Sequence, residues 1–366
     1  MQSIRFGKIL GISLELHFTF ILMILVFVVF LAVFDPQGLL PTLMLLFFLF
    51  VSVFIHELCH SVVAVWKGIK VSKITLLPIG GLSMTDEIPE KPSDEFLIAV
   101  AGPLFNFVAV AAVLVVAQYF PQFWPQGIFQ GDFSEETFNN ALFNFPLFTV
   151  FWVNLILGAF NLFVPALPLD GGRIFRAVLA WRIGFSKATN IAAALSKIIS
   201  GILFLLGFFS GNFILSVVAI FIFLGANQEV EINMVKQAFK GLLAKDAVTK
   251  KLFRLKPLVT AEQALEKMLE KKQNVFLVDS HQLSFVSVEM LSKVKATERD
   301  FVKVDEIARP VKAVDALMPL EKAFSLMLAH GRPFLAVKEK GKTIGVLFDE
   351  DVQKVLRIKR AEKEIS

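Results

Sequence analysis

The chain of 366 residues carries 37 Lys and Arg against 32 Asp and Glu, a net charge of +5, and is 55% hydrophobic with 40 phenylalanines. Its mean hydropathy of +0.67 is too apolar for an ordinary soluble enzyme and calls for a bilayer. The single cysteine, Cys59, excludes an intrachain disulfide, and a small positive excess is expected beside an anionic leaflet, so no nucleic-acid partner is implied.

Charge divides the chain unevenly. Residues 1–228 hold 11 Lys/Arg and 12 Asp/Glu, whereas 229–366 hold 26 and 20. A membrane-like domain over 1–228, a linker over 229–242 and a soluble-like domain over 243–366 are therefore expected. Arg5 and Lys8 precede the first apolar run, but no small-residue cleavage site follows, which predicts a retained span. Runs long enough to cross a membrane lie near 17–34, 40–66, 96–120, 145–165, 190–210 and 212–227. These predict six transmembrane helices. Lys67, Lys70, Lys73 and Lys91 follow the second run, and Arg173, Arg176, Arg182 and Lys187 follow the fourth. The intervening loops, 35–39, 121–144 and a turn at 211, contain no Lys or Arg. Basic residues thus gather on one side, which predicts a multi-pass cell-membrane protein with cytoplasmic N- and C-termini. His17, at the start of the first run, reads as an interfacial histidine, and Lys197, inside the fifth, as a lysine snorkelling to the interface.

After the second run, KVSKITLLPIGGLSMT (70–85) is β-branched and broken by Pro78 and Gly80-Gly81. It predicts a membrane-edge hairpin or small sheet.

Within the second run, FIHELCHS (54–61) contains His56-Glu57-x-x-His60. Residues four apart share a helix face, so both imidazoles can reach one metal ion. Glu57 beside them suits a general base on metal-activated water. Lys67 marks the expected cytoplasmic end of this span. At 1.5 Å per residue, His56 lies roughly 16 Å and His60 roughly 10 Å inside it. Ionisable groups at that depth are costly unless compensated, which favours the metal reading. A catalytic zinc site needs a third protein ligand. NLFVPALPLDGG (161–172), at the end of the fourth run, offers one. Pro165 and Pro168 break regular helix there, and Gly171 and Gly172 permit close approach. Asp170 can then turn inward to the metal, or leave the bilayer solvated or paired with Arg173. Asn161 can hydrogen-bond a developing oxyanion or substrate backbone, or bond between helices.

HELCH in the second run, LLPIGG after it, AGP at 101–103 in the third and NLFVPALPLDGG in the fourth resemble the site-2 protease family of intramembrane zinc metalloproteases, in its compact six-span form. The resemblance covers residues 1–228. It implies a polytopic α-helical membrane protein with a small membrane-edge β element. It further implies one Zn2+ per chain on His56, His60 and Asp170, with Glu57 as catalytic acid/base. The implied reaction is hydrolysis of a peptide bond in or next to a transmembrane helix of a membrane-protein substrate, in regulated intramembrane proteolysis. Gly80 and Gly81 would belong to an edge strand that pairs with unwound substrate; the alternative is a structural hairpin. Cys59 stands where many relatives have glycine, and its position between the ligands points it elsewhere, to packing.

From about 240, short helical stretches such as AEQALEKMLEKK alternate with strand-like runs such as NVFLVDS, and the order recurs. The two units, about 243–295 and 302–358, resemble a tandem pair of CBS domains with a soluble α/β fold. The second ends IGVLFDEDV and keeps Gly345 and Asp351; the first ends LSFVSVEML and lacks both. Such domains often bind adenine nucleotides, so nucleotide sensing is one expectation. A structural, homodimer-forming or substrate-gating role is the other. Either makes the tail regulatory. His281 and His330 have no partners by spacing and are assigned no chemistry. A metal transporter is the competing reading of the membrane part, but it would want polar residues along a path, and the third, fifth and sixth runs offer almost none. A catalytically silent membrane module is opposed by the intact Glu57.

Overall fold

The amino-terminal residues fold as a sheet before the first helix begins. In the computed structural model, Ser3–Ile9 (β1) and Ile12–His17 (β2) form an antiparallel hairpin. Alternation explains β2: Ile12 and Leu14 are buried and their neighbours are not. Every residue is described apart from 1–2, 10, 70, 78–79, 86–90, 133, 250–252, 280–282, 330–333 and 366. His281, His330 and Pro78 therefore lie outside the described residues. The chain divides into two units, Met1–Glu231 and Ile232–Ser366.

The hairpin leaves only Phe18–Phe34 (α1), 17 residues, for the first predicted span. His17 caps it, its Nδ1 accepting from the Thr19 N–H at 3.3 Å. At 1.5 Å per residue, 17 residues reach about 26 Å, the lower limit for crossing a hydrocarbon slab of about 30 Å. Leu39–Trp66 (α2) follows, then Val71–Leu77 (β3) and Gly80–Thr85 (β4), an antiparallel pair. β3 also runs parallel to β2, so the four strands form one sheet ordered β1-β2-β3-β4. Among the described residues β4 is an edge strand. Pro92–Tyr119 (α3) returns across the unit and packs against α2.

The segment 121–144, expected only as a loop, contains Gln126–Phe129 (α4) and Glu135–Asn144 (α5). Trp124, Phe138 and Phe148 knit it to the next helix, Pro146–Phe163 (α6). Asp170–Ile183 (α7) and Phe185–Phe209 (α8) follow, and Phe213–Phe239 (α9) begins in this unit and runs past its end at Glu231. Among the described residues five helices, α2, α3, α6, α8 and α9, are long and apolar enough to cross a membrane. A sixth span is not confirmed: α1 is apolar but shorter than these, because the hairpin takes the residues that would have lengthened it.

Two further expectations change. The basic stretch after the fourth run is helix α7, not an open loop. α9 continues unbroken to Phe239, through much of the stretch read as a linker. Small buried residues on α8 (Ala188, Ala192, Ser196, Ser200, four apart) give a smooth face against which neighbouring helices approach closely. Lys197 leaves that face, its Nζ standing 6.0 Å from the Phe223 ring centroid.

The second unit repeats one topology. Arg254–Leu255 (β5), Ala261–Lys271 (α10), Val275–Asp279 (β6), Leu283–Ser287 (β7) and Val288–Ser292 (α11) come first. After Val304–Ile307 (α12) and Arg309–Pro310 (β8) come Ala313–Asp315 (β9), Leu320–Ala329 (α13), Phe334–Glu339 (β10), Lys342–Phe348 (β11) and Asp349–Ile365 (α14). In each half a short strand pairs in parallel with the first arm of an antiparallel hairpin. Helix α10 begins with a capping box, Thr260 and Gln263, and its buried stripe Ala261, Ala264 and Met268 faces the strands. Phe276, Leu335 and Leu347 are fully enclosed. Thr249 donates its hydroxyl to Asp351, and Gly345 lets that backbone close in, since a Cβ there would fall 2.5 Å from the Thr249 carbonyl oxygen.

Candidate metal centre

Helix α2 is apolar through most of its length, yet Ser52, His56 and His60 recur at every fourth position and are all buried. That spacing puts them on one face, one above the other. The face meets α3, where Ile98, Gly102 and Asn106 recur at the same interval. The Ile98 carbonyl lies 2.6 Å from His60 Nδ1 and the Asn106 Oδ1 2.5 Å from His56 Nδ1. Gly102 sits between them because nothing larger fits: a Cβ there would lie 2.6 Å from His60 Cε1 and 2.7 Å from His56 Cε1. The AGP stretch thus has a physical reason, to let two imidazole edges lie flat on the α3 backbone.

The third group arrives from the break after α6. Pro165 and Pro168 supply no backbone N–H. The remaining donors of the break are satisfied at short range: Ala166 N–H by the Val164 carbonyl at 2.8 Å and Leu169 N–H by the Ala166 carbonyl at 2.9 Å. Leu167 N–H donates to Ser196 Oγ on α8 at 2.7 Å. Open backbone within an apolar unit is thereby covered. Gly172 makes the return tight, since a Cβ on it would stand 2.6 Å from the Ala166 carbonyl oxygen. Helix α7 then starts at Asp170, an acidic residue in the first turn, where the helix dipole favours it.

Asp170 is buried and turned inward, away from Arg173. Its Oδ2 lies 3.1 Å from His56 Nε2 and 3.2 Å from His60 Nε2, and the two Nε2 atoms are 3.1 Å apart. These residues are the group of His, Cys, Asp or Glu side chains among the described residues that could hold a metal ion. The donor triangle fits zinc. Two bonds of about 2.0–2.1 Å at the tetrahedral angle would set donors about 3.3–3.4 Å apart. With each Nδ1 committed to an acceptor oxygen, both Nε2 atoms present lone pairs to each other and to a carboxylate. Such an arrangement repels itself unless a cation lies between. Glu57 lies within electrostatic range of His60, His56, Asp170 and Arg173.

Other sequence-predicted residues fall differently. Asn161 donates to the Leu157 carbonyl one turn back on its own helix, at 3.0 Å, which neither sequence reading anticipated. Gly80 and Gly81 open edge strand β4. Cys59 is partly buried. Sequence reasoning passed over Asn106 and Asn154, which bond to each other at 2.8 Å beside the cluster. Their signal was plain: an asparagine deep in an apolar run must find a partner. It also passed over the buried ion triad of Glu95 on α3, Arg176 on α7 and Glu229 on α9, in which Arg176 donates to Glu95 and, at 2.5 Å, to Glu229. Of these groups Asn106 lies inside the third run, while Glu95 and Glu229 sit just outside the third and sixth runs, at their ends.

A histidine pair and an aspartate buried among membrane-crossing helices, with a glutamate alongside, define a membrane-embedded zinc hydrolase. Residues 44–207 match peptidase family M50, and residues 304–358 match the CBS domain. A zinc metalloprotease of Methanocaldococcus jannaschii is 36% identical over 366 residues, covering 99% of this chain and 98% of the relative. Rip3 of Mycobacterium tuberculosis is 27% identical over 332 residues, covering 85% of this chain and 80% of that one. The solved site-2 protease from M. jannaschii aligns at 42% identity over 63% of this chain and 95% of its own, with a TM-score of 0.47. The chain belongs to peptidase family M50, the site-2 proteases. It is a multi-pass membrane zinc metalloprotease bearing a CBS domain, and the transporter alternative is not favoured.

Proposed function

We propose that His56, His60 and Asp170 hold a single zinc ion and that Glu57 is the catalytic acid/base for cleavage of a membrane-protein substrate in or next to its transmembrane helix. The observation that carries this is the convergence of the three donor atoms within 3.2 Å of one another inside an apolar helical unit. Zinc there supplies a Lewis acid and brings the pKa of a water toward neutrality. Glu57 takes the proton of the attacking water on its carboxylate and passes it to the leaving amine nitrogen. Edge strand β4, with Gly80 and Gly81, offers free backbone groups along which an unwound substrate can add as a further strand. Asn161, with one amide hydrogen engaged by Leu157, keeps a second for the substrate backbone or the oxyanion.

The side-chain biases of the loops support cytoplasmic termini, which proteolysis of the tail in vesicles of known sidedness checks. The tail is read as regulatory, with an adenine nucleotide as candidate ligand and a homodimer as candidate assembly. Titration with AMP or ATP and mass measurement in detergent test these. For the central reading, the experiment is Glu57→Gln in detergent, with zinc content and cleavage of a single-span substrate followed together. Cleavage is expected to vanish while zinc stays. Normal cleavage by that variant would overturn the assignment.

A further inference from the structure

The two histidines are oriented by different kinds of atom. His60 Nδ1 faces the backbone carbonyl of Ile98, which can only accept, so this ring carries its proton on Nδ1 and its lone pair on Nε2. His56 Nδ1 faces the side-chain amide of Asn106, which could present either its oxygen or its NH2. A chain of hydrogen bonds decides between them. The Val150 carbonyl can only accept, so the group of Asn154 lying 2.8 Å from it is the NH2, which also donates to Ser52 Oγ at 3.0 Å. Asn154 therefore turns its Oδ1 toward Asn106, 2.8 Å away. Asn106 must meet that oxygen with its own NH2, which leaves its Oδ1 for His56. Ser52, Asn106, Asn154 and His56 are all buried, so water cannot substitute at any step.

We propose that Asn106 and Asn154 are positioning residues for the metal centre: together they lock His56 in the tautomer whose Nε2 lone pair points at His60 and Asp170. The inference rests on the reading that His56, His60 and Asp170 hold zinc. An Asn106 amide flipped end for end would place NH2 against His56 Nδ1. The ring proton would then sit on Nε2, between the ligands, where it blocks binding. Asn154 prevents the flip, because a flipped Asn106 would set oxygen against oxygen. Asn154 thus acts on the metal only through the orientation of Asn106.

This gives a test in the full-length detergent-solubilised protein, with zinc affinity read by chelator competition and ligand geometry by the visible spectrum of the cobalt-substituted form. Asn106→Leu should weaken zinc binding about 10- to 100-fold, the usual cost of losing the partner that orients a metal-bound histidine. Asn154→Leu should weaken it several-fold and shift the cobalt spectrum. In an Asn106→Asp background Asn154→Leu should cost nothing, because a carboxylate has no wrong face to present. Zinc held by Asn106→Leu as tightly as by the unaltered protein would overturn the proposal. So would an Asn154→Leu penalty of equal size in both backgrounds, the signature of a packing role. If circular dichroism shows Asn106→Leu unfolded, the Asn154 and Asn106→Asp cycle decides alone. His56→Ala and Asp170→Ala separate the two ideas: if they retain zinc, the ligand reading itself fails, whatever the asparagine variants do.

Discussion

In the membrane unit Glu95 is fully buried and Arg176 nearly so, and Arg176 bridges it to Glu229 across three helices. In the tail, Arg254 and Asp279 meet at 3.0 Å with half of each side chain in water. The same chemical pair thus serves opposite purposes. Where the surroundings are apolar, an unpaired charge costs several kcal/mol, so each buried charge is answered and the answer fixes helix against helix. Where water is available, charge mainly confers solubility, and the folding drive passes to enclosed apolar side chains such as Phe276 and Leu347. The membrane unit keeps its specificity in a few converging polar groups; the tail keeps it in hydrophobic pattern.

The sharpest way to break this comparison is to remove the central cation. Arg176→Leu leaves enclosed Glu95 with only the more distant Arg173, whose Nε stands 4.0 Å from it, and should cost about 3 kcal/mol, read as a large fall in the unfolding midpoint in detergent. Because α7 begins with Asp170, zinc retention should fall as well. A variant as stable as the unaltered protein would show that water reaches this triad and that the contrast with the tail is false.

Gly102→Ala should come next. Its new methyl lands on both imidazole edges, and displacement of ligands by a fraction of an ångström is expected to lower kcat/KM about 100-fold. Gly201→Ala on α8 is the control, because a Cβ there meets open space. It should leave both activity and zinc unchanged. Equal effects at the two glycines would mean that close backbone approach at α3 is not what seats the histidines.

The parts of this architecture visible in the sequence are those written in local pattern. HELCH announces a helix face, the paired prolines and glycines before and after Asp170 announce a break, and period-two and helical stripes in the tail announce alternating strands and helices. The N-terminal hairpin was not legible, because Arg5 and Lys8 ahead of an apolar run read as a flank and not as the polar positions of a strand. Helix α7 was not legible as a buried element, since three arginines in a row of turns look solvated until Glu95 and Glu229 are brought from 81 and 53 residues away. Asn106 and Asn154 carried a readable warning, an amide in a lipid-like run. Which atom each would meet depends on helix packing that no local pattern encodes.

Between the two extremes stands Glu15 on β2, which accepts from Lys73 on β3 at 2.9 Å and from Ser3 at 2.6 Å. The lysine first, then the serine, hold its carboxyl below the usual range. A carboxyl whose folded pKa is depressed stabilises above its unfolded value, about 4.3, and that contribution fades as the pH falls through the folded value. Lys73→Met should therefore cost at most about 1 kcal/mol at neutral pH, given partial exposure of both groups. The difference from the unaltered protein should shrink as the pH is lowered below about 4.3. A penalty that persists unchanged in acid would assign the effect to strand packing.

The smallest effect should come from the tail. Arg254→Ala removes a cross-strand ion pair between β5 and β6 that, at 3.0 Å, is within direct hydrogen-bonding distance. By contact alone it would count as an ion pair like those of Arg176. Both side chains, however, are half in water, where the attraction is screened and holding two mobile chains together costs entropy. Its removal should shift stability by less than about 0.5 kcal/mol, and the shift should disappear in high salt. Replacing Phe276 with alanine on the same strand β6 should instead cost about 3–5 kcal/mol, since that ring is fully enclosed. If the ion pair proved the larger of the two, exposure would not be the variable that separates the tail from the membrane unit. The explanation would then have to lie in the strand pairing that Arg254 shares with Leu277.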